Sequence, residues 1–244
     1  MRRRNPPELV VGGFARVDRE RARRVGVPEI ILGQGKTVDH LVGILRGLHT
    51  AGLGALVSRP TVAQLRAVRR EAKSGLPLRE LAGGRIVRLD GPLGARYRSG
   101  VVGLVTAGTS DVPLAEEARA VLEELGVTTA VAYDVGVAGL HRLFRALRGL
   151  ERLRPAIYLV FAGREGALPT VVAGLVHAPV VGVPTSVGYG RGGKGEAALS
   201  AMLQSCAPLA VVNIDAAVPA ALFAAQQFAV PLRSTALRPS ARRR

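Results

Sequence analysis

Cysteine occurs once in this chain, at position 206, which excludes an intrachain disulfide framework and any multi-cysteine metal cluster. A lone thiol suits a reducing compartment. Tryptophan is absent and aromatic residues make up 4% of the sequence, so the platforms on which single-stranded bases stack are poorly supplied. Acidic residues are also short: 18 Asp and Glu stand against 34 Lys and Arg, for a formal charge of +16. Such an excess invites a nucleic-acid partner, but its distribution argues otherwise. Residues 101–230 carry nine basic and ten acidic side chains, residues 1–100 carry twenty and eight, and residues 231–244 add five Arg. With no zinc-finger spacing and no aromatic RNA-binding motif, the charge reads as a solvated surface and two basic ends, and no nucleic-acid partner is expected.

Long uninterrupted apolar runs are missing too. Leu168–Gly190 lacks Asp, Glu, Lys and Arg, but Pro169, Pro179 and Pro184 cut it into pieces too short for a bilayer. Pieces punctuated in this way read as strands buried on both faces of a parallel sheet. The amino terminus is basic without an apolar segment long enough for a secretory signal. A soluble cytoplasmic protein with no membrane partner is the expectation. At 244 residues and 48% hydrophobic, the chain can bury a sizeable core in one domain or two.

The first 27 residues read as a flexible basic arm and a short charged helix around Asp18–Arg24. A small α/β domain is expected over residues 28–94. It would contain a strand at Glu29–Leu32, a helix capped by Thr37, a strand at Ala55–Ser58, and a helix from Thr61 to about Lys73. Residues 75–94, rich in Gly and charge, end in a linker at 90–94. From residue 100, strands and helices alternate strictly. Strands are expected at Val101–Thr106, Val127–Ala132, Ile157–Phe161, Val180–Val183 and Leu209–Ile214, with helices between them and a last helix near Pro219–Phe228. That pattern predicts a five-stranded, doubly wound parallel sheet of flavodoxin-like type over residues 95–234, followed by a basic tail at 235–244.

In such a sheet, ligands bind beyond the carboxyl ends of the strands. The segments expected there are Gly-rich and carry hydroxyls and carboxylates. Gly108, Thr109, Ser110 and Asp111 open a helix, where free N–H groups favour a phosphate; the same tetrapeptide could equally be a capping turn. Asp134 precedes His141 and Arg142, which a helix starting near Ala138 would turn toward the crevice, although surface His and paired Arg are the commoner fate. Gly163 and Gly166 flank Glu165, a candidate general base if burial raises its pKa, or else an exposed partner of Arg164. Thr185, Ser186 and Tyr189 follow the fourth strand. Cys206 precedes the last strand, and spacing alone makes it a buried small hydrophobe.

Taken in series these segments resemble the LarB family of nickel-pincer-nucleotide biosynthesis proteins. The likeness runs through Val-Gly-Leu-Val-Thr-Ala-Gly-Thr-Ser-Asp (102–111), Tyr-Asp-Val-Gly-Val-Ala-Gly-Leu-His-Arg (133–142) and Gly-Ala-Leu-Pro-Thr-Val-Val-Ala-Gly-Leu-Val (166–176). It continues through Val-Pro-Thr-Ser-Val-Gly-Tyr-Gly (183–190), Leu-Gln-Ser-Cys-Ala-Pro (203–208) and Val-Val-Asn-Ile-Asp (211–215). Upstream, Val-Pro-Glu-Ile-Ile-Leu-Gly-Gln-Gly-Lys-Thr (27–37) is similar to the family's N-terminal signature. The related aminoimidazole ribonucleotide carboxylases of purine synthesis are the alternative; they carry Ala-His-Leu-Pro where this chain reads Arg-Glu-Gly-Ala-Leu-Pro.

The resemblance implies carboxylation of nicotinic acid adenine dinucleotide at ring position 5 with CO2 as co-substrate. Phosphoanhydride hydrolysis then gives pyridinium-3,5-biscarboxylic acid mononucleotide and AMP. It implies Cys206 as nucleophile, Glu165 as base, and Asp111 beside them. Thr109, Ser110 and Asp111 would hold the ribose-phosphate, while Asp134, His141 and Arg142 orient the ring and its carboxylate. No tightly bound cofactor is implied, though a divalent metal such as magnesium could serve the hydrolysis. The family departs from this chain after Asn-Ile-Asp, where Ala216-Ala217-Val218-Pro219 replaces a Gly-rich stretch, and in the basic loop 191–195. Because Cys206 ends a helix running back from the crevice, it should lie at the opposite end of the sheet from Asp111, Asp134 and Glu165. A site shared between subunits of a symmetric homo-oligomer, such as an octamer, would reconcile the two. A non-catalytic nucleotide-binding module is the third reading, one that has no use for a thiol.

Overall fold

The computed structural model describes residues 6–230. Expectations for residues 1–5 and for the tail at 235–244 lie outside the described residues. The chain begins with an antiparallel hairpin, β1 (Glu8–Val11) and β2 (Ala15–Asp18), where a flexible arm was expected. Two features of the sequence explain it. Gly12 and Gly13 adopt positive φ at the turn, and Phe14 stacks on His40 with ring centroids 4.4 Å apart, pinning the hairpin to the next domain. A short helix, α1 (Arg21–Val25), follows and closes on Gly26 in the left-handed conformation.

The N-terminal sheet comprises β3 (Ile30–Leu32), β4 (Ala55–Ser58), β5 (Leu78–Leu81) and β6 (Ile86–Leu89), in the order β3-β4-β6-β5. Helices α2 (Val38–Thr50) and α3 (Val62–Lys73) are capped by Thr37 and Thr61 as expected, the second through a capping box with Gln64. The Gly- and charge-rich segment between 75 and 89, in which no strand was expected from the sequence, forms a hairpin, and its β6 is buried along its whole length between β4 and β5. Alternation along the strands divides their side chains between two cores. Val57, Val87 and Leu89 face a core with α2 and α3, whereas Leu56 and Ile86 point to the opposite face and join the core of the second domain.

The second domain follows from β7 (Val101–Thr106) through α4 (Val112–Glu124), β8 (Thr128–Ala132), α5 (Leu140–Glu151), β9 (Ile157–Ala162) and α6 (Ala167–Ala173). It ends with β10 (Val180–Pro184), α7 (Glu196–Leu203), β11 (Leu209–Val211) and α8 (Ala217–Gln226). All pairings are parallel and the order is β8-β7-β9-β10-β11, so strand order reverses between β7 and β9. This is the doubly wound architecture predicted, and its switch point lies between the loops after β7 and β9. α4 and α8 cover one face, with buried Ala115, Ala118, Ala220 and Ala224 permitting close approach. α5, α6 and α7 cover the other. The last strand ends earlier than expected, at Val211, and the last helix starts earlier, at Ala217. Among the described residues no helix is long and apolar enough to cross a membrane.

Candidate active site

Beyond the carboxyl ends of β7 and β9 lies a crevice of about 750 Å³, lined by Gly108, Ser110, Asp111, Gly163, Glu165 and Tyr189 among the expected site residues. Its floor is Asp111. A short 3-10 turn over Thr109–Asp111 leads into α4, and Asp111 folds back to accept the Gly108 N–H at 2.9 Å. Its other oxygen accepts the buried Thr185 hydroxyl at 2.6 Å. Burial pushes the Asp111 carboxyl above its ordinary value, and the bonds from Thr185 and Gly108 work against that rise. The loops after β7 and β10 are thereby tied together at the switch point. α4 presents its amino end here, where free N–H groups and the dipole favour an anion.

Close backbone approach explains the glycines. A Cβ on Gly163 would stand 2.1 Å from the Val187 carbonyl oxygen and 2.8 Å from Thr185 Oγ1. On Gly136 it would meet the Ala107 carbonyl oxygen at 2.7 Å. Gly166 has positive φ, and a Cβ there would stand 2.7 Å from the Ala198 carbonyl oxygen. Non-glycine residues adopt left-handed φ just past several strands: Arg59, Asp134, Arg164 and Asp215. Such strain gathers where loops are shaped for a ligand.

Several expected residues fall elsewhere. His141 and Arg142 lie in the first turn of α5, which begins at Leu140 after a 3-10 turn rather than near Ala138, but both are exposed and do not line the crevice. Arg142 donates instead to the Asp134 carbonyl at 2.7 Å and to its carboxylate at 3.1 Å. Asp134 is held by its own N–H, which donates to the buried Thr106 hydroxyl at 3.0 Å. Thr109 is exposed, and Ser186 is occupied by donating its N–H to Asp215 Oδ1 at 2.8 Å. Glu165 reaches the crevice but stays exposed, 3.7 Å from Arg164, so the burial expected to tune it is not supplied within one chain. Arg164, missed in the sequence, lines the crevice and lies 5.1 Å over the Tyr189 ring. A charge directly before Glu165 on a strand-end loop was the signal for it.

Cys206 is exposed, not buried. It precedes β11, whose first residue Leu209 pairs with Val180 at the start of β10. Glu165 follows the other end of β9, so the length of a six-residue strand, roughly 15–20 Å, separates thiol and carboxylate. Among the described residues no group of three or more His, Cys, Asp or Glu converges to hold a metal.

The profile of the AIR carboxylase family matches residues 101–241, and that of the LarB/PurE-like N-terminal domain matches residues 9–87. An uncharacterized protein of Methanocaldococcus jannaschii is 38% identical over 86% of this chain and 82% of its own length. An N5-carboxyaminoimidazole ribonucleotide mutase of Pyrococcus horikoshii is 35% identical over 51% of this chain and 70% of its own. Among solved structures, Treponema denticola PurE aligns over 52% of this chain and 78% of its own, with 27% identity and a TM-score of 0.43.

Proposed function

Since this chain belongs to the AIR carboxylase family, as a LarB-like protein with an N-terminal domain of the LarB/PurE-like kind, we propose that it carboxylates the pyridinium ring of nicotinic acid adenine dinucleotide. The observation that carries this reading is one crevice whose ionisable lining is Asp111, Arg164, Glu165 and Tyr189, in a chain that also has that N-terminal domain.

A pyridinium ring is electron-poor and cannot attack CO2. Addition of the Cys206 thiolate at ring position 4 places an electron pair on carbon 5, which attacks CO2. Glu165 then removes the proton from carbon 5, the thiolate departs with its bonding pair, and the aromatic ring returns. Gly108, Ser110 and the amino end of α4 hold the phosphate of the nicotinate half, and Arg164 lies close enough to receive a ring carboxylate. Because Cys206 leaves the far end of its own sheet, the thiol serving one crevice comes from another copy in a homo-oligomer. Phosphoanhydride hydrolysis follows and releases AMP. The setting is cytoplasmic, where a free thiol stays reduced.

Aminoimidazole ribonucleotide carboxylation is the second reading, favoured by the AIR carboxylase match over residues 101–241. Incubating the full chain with bicarbonate and either substrate, then weighing the products, decides between them. The dinucleotide should yield a mononucleotide heavier by one carboxylate, and the aminoimidazole should return unchanged. Turnover of the aminoimidazole alone would reverse the assignment. Mixing Cys206→Ser with Glu165→Gln protomers should restore partial activity; none in demonstrably mixed oligomers would place thiol and base in one chain.

A further inference from the structure

Strand register puts two arginines side by side just past the ends of the two central strands of the N-terminal sheet. β4 and β6 pair antiparallel with Ser58 opposite Ile86, so the next pair outward is Arg59 and Arg85, and the Arg59 N–H donates to the Arg85 carbonyl at 3.0 Å. Facing them is Glu117, on the buried stripe of α4 that also holds Leu114, Ala118 and Val121. Its side chain is 1% exposed, and neither carboxylate oxygen has a hydrogen-bond partner. Arg85 comes no nearer than 3.6 Å. A buried carboxylate left in this condition costs far more than one satisfied by donors. Asp111, six residues earlier, has both its oxygens occupied.

Glu117 borders a cavity of about 540 Å³ between the two sheets, within the range of small-ligand sites. One wall is apolar, from Ile30, Ile214, Pro219 and Leu222. Around the polar part, Arg21 and Arg59 stand against Glu29 and Glu117, and Arg85 and Asp215 add one charge of each sign in a smaller cleft beside it. Two of these carboxylates are occupied: Glu29 accepts the Asp18 N–H at 2.9 Å and Asp215 the Ser186 N–H at 2.8 Å. The Arg59 guanidinium spends one donor on the Asp215 carbonyl and keeps the rest. What fits is a molecule with a flat apolar part, an anionic group for the arginines, and N–H or O–H donors for Glu117. The cavity neighbours the crevice through shared residues. It shares Arg59 with a smaller cleft lined by Arg85, Thr185, Ser186 and Asp215, and that cleft shares Ser110 and Val187 with the crevice.

We propose that the interdomain cavity and the cleft beside it form the subsite for the adenylate half of a dinucleotide, with phosphate on Arg59 and Arg85 in the cleft, purine against the apolar wall of the cavity, and ribose hydroxyls or the purine amine donating to Glu117. The assignment rests on the reading that the substrate is a nicotinate dinucleotide. It also gives the N-terminal domain a part in binding, because a mononucleotide fills the crevice alone whereas a dinucleotide needs that domain's arginines.

The test is calorimetric titration of the full chain with AMP and, separately, with nicotinate mononucleotide. Arg59→Gln removes an anion donor, and Leu222→Trp fills the cavity without touching charge. Each variant is first checked for an unchanged melting temperature. AMP should bind the wild type and lose at least tenfold in affinity in both variants, while nicotinate mononucleotide binds all three within threefold. AMP should also displace the dinucleotide. Failure of AMP to bind at millimolar concentration, equal binding by the variants, or binding without competition would each overturn the assignment. Dinucleotide carboxylation with Arg59-independent AMP binding would keep the proposed reaction and discard the subsite. Arg59-dependent, dinucleotide-competitive AMP binding without carboxylation would discard the reaction and keep the subsite.

Discussion

Two carboxylates near the start of α4 have been buried to opposite ends. Asp111 faces the strand-end crevice with each oxygen bonded, one to the Gly108 N–H and one to the Thr185 hydroxyl. Glu117 faces the interdomain cavity with neither oxygen bonded and two arginines close by. The first is a structural tie: it fixes the loops that shape a site and has little capacity left for a ligand. The second is left without hydrogen-bond donors, so the protein bears a desolvation cost that an incoming donor would relieve. A carboxylate's burial does not reveal its role; the count of its partners does.

The largest effect should come from the thiol and leave this contrast intact. Cys206→Ser should lower carboxylation at least a thousandfold, because a hydroxyl is a far weaker nucleophile at neutral pH. The exposed position predicts an unchanged melting curve, and AMP affinity should hold. Wild-type turnover by this variant, measured by product mass, would rule out covalent catalysis.

Damage confined to the crevice comes next. Gly163→Ala forces a methyl onto the Val187 carbonyl and should weaken nicotinate mononucleotide binding about 10- to 100-fold. AMP binding should stay within threefold. Equal loss of both ligands would merge the two regions into one.

A third measurement addresses Glu117 directly. Burial raises its pKa above the ordinary 4.5, Arg59 and Arg85 oppose the rise, and Asp215 adds to it. The folded chain therefore holds this proton more tightly than the unfolded chain. Stability from this group is complete below about 4.5 and is lost as pH climbs through the raised value. Asp111 contributes a slope of the same sign, so the comparison is between wild type and Glu117→Gln. The variant should show a flatter decline above pH 5 and gain roughly 1 kcal/mol at pH 8, about 2–4 °C in melting temperature. Parallel profiles for the two proteins would mean that Glu117 is not the strained group described here.

The smallest effect tests neither region. Removing residues 241–244 should leave nucleotide binding within about threefold, under 1 kcal/mol. A larger loss would give the basic terminus a share in phosphate binding.

Much of this arrangement was legible in the sequence because periodicity and capping are local. Thr37 and Thr61 announced their helices, and the alternation after residue 100 announced the parallel sheet and the loops carrying Gly108, Asp111, Gly163 and Glu165. The N-terminal hairpins were hidden for a physical reason. β1 and β2 are short and charged, and β5 and β6 lie in a Gly-rich stretch, so tertiary partners such as His40 and Leu56 decide them. His141 and Arg142 were misplaced because a position in a helix's first turn does not fix which way the side chain faces, and Arg142 turns to Asp134. Arg59, Arg85 and Glu117 were invisible as a group, since they converge only when two sheets pack. One trace of Glu117 was available: a charged residue at the helical spacing of Leu114, Ala118 and Val121 occupies a core position and requires a partner.

Leu56 and Ile86 belong to the N-terminal sheet, yet they share a core with α4, α8 and the strands of the second domain. The two units are therefore not modular in the thermodynamic sense. Melting one strips the other of a face, so unfolding should be a single cooperative transition in a calorimeter, without a shoulder for either sheet. The same coupling gives the cavity its rigidity, because its walls cannot separate without exposing that common core. An excised second domain would carry its half of that core into water as an adhesive surface, and self-association in place of a well-behaved fragment is the expected result.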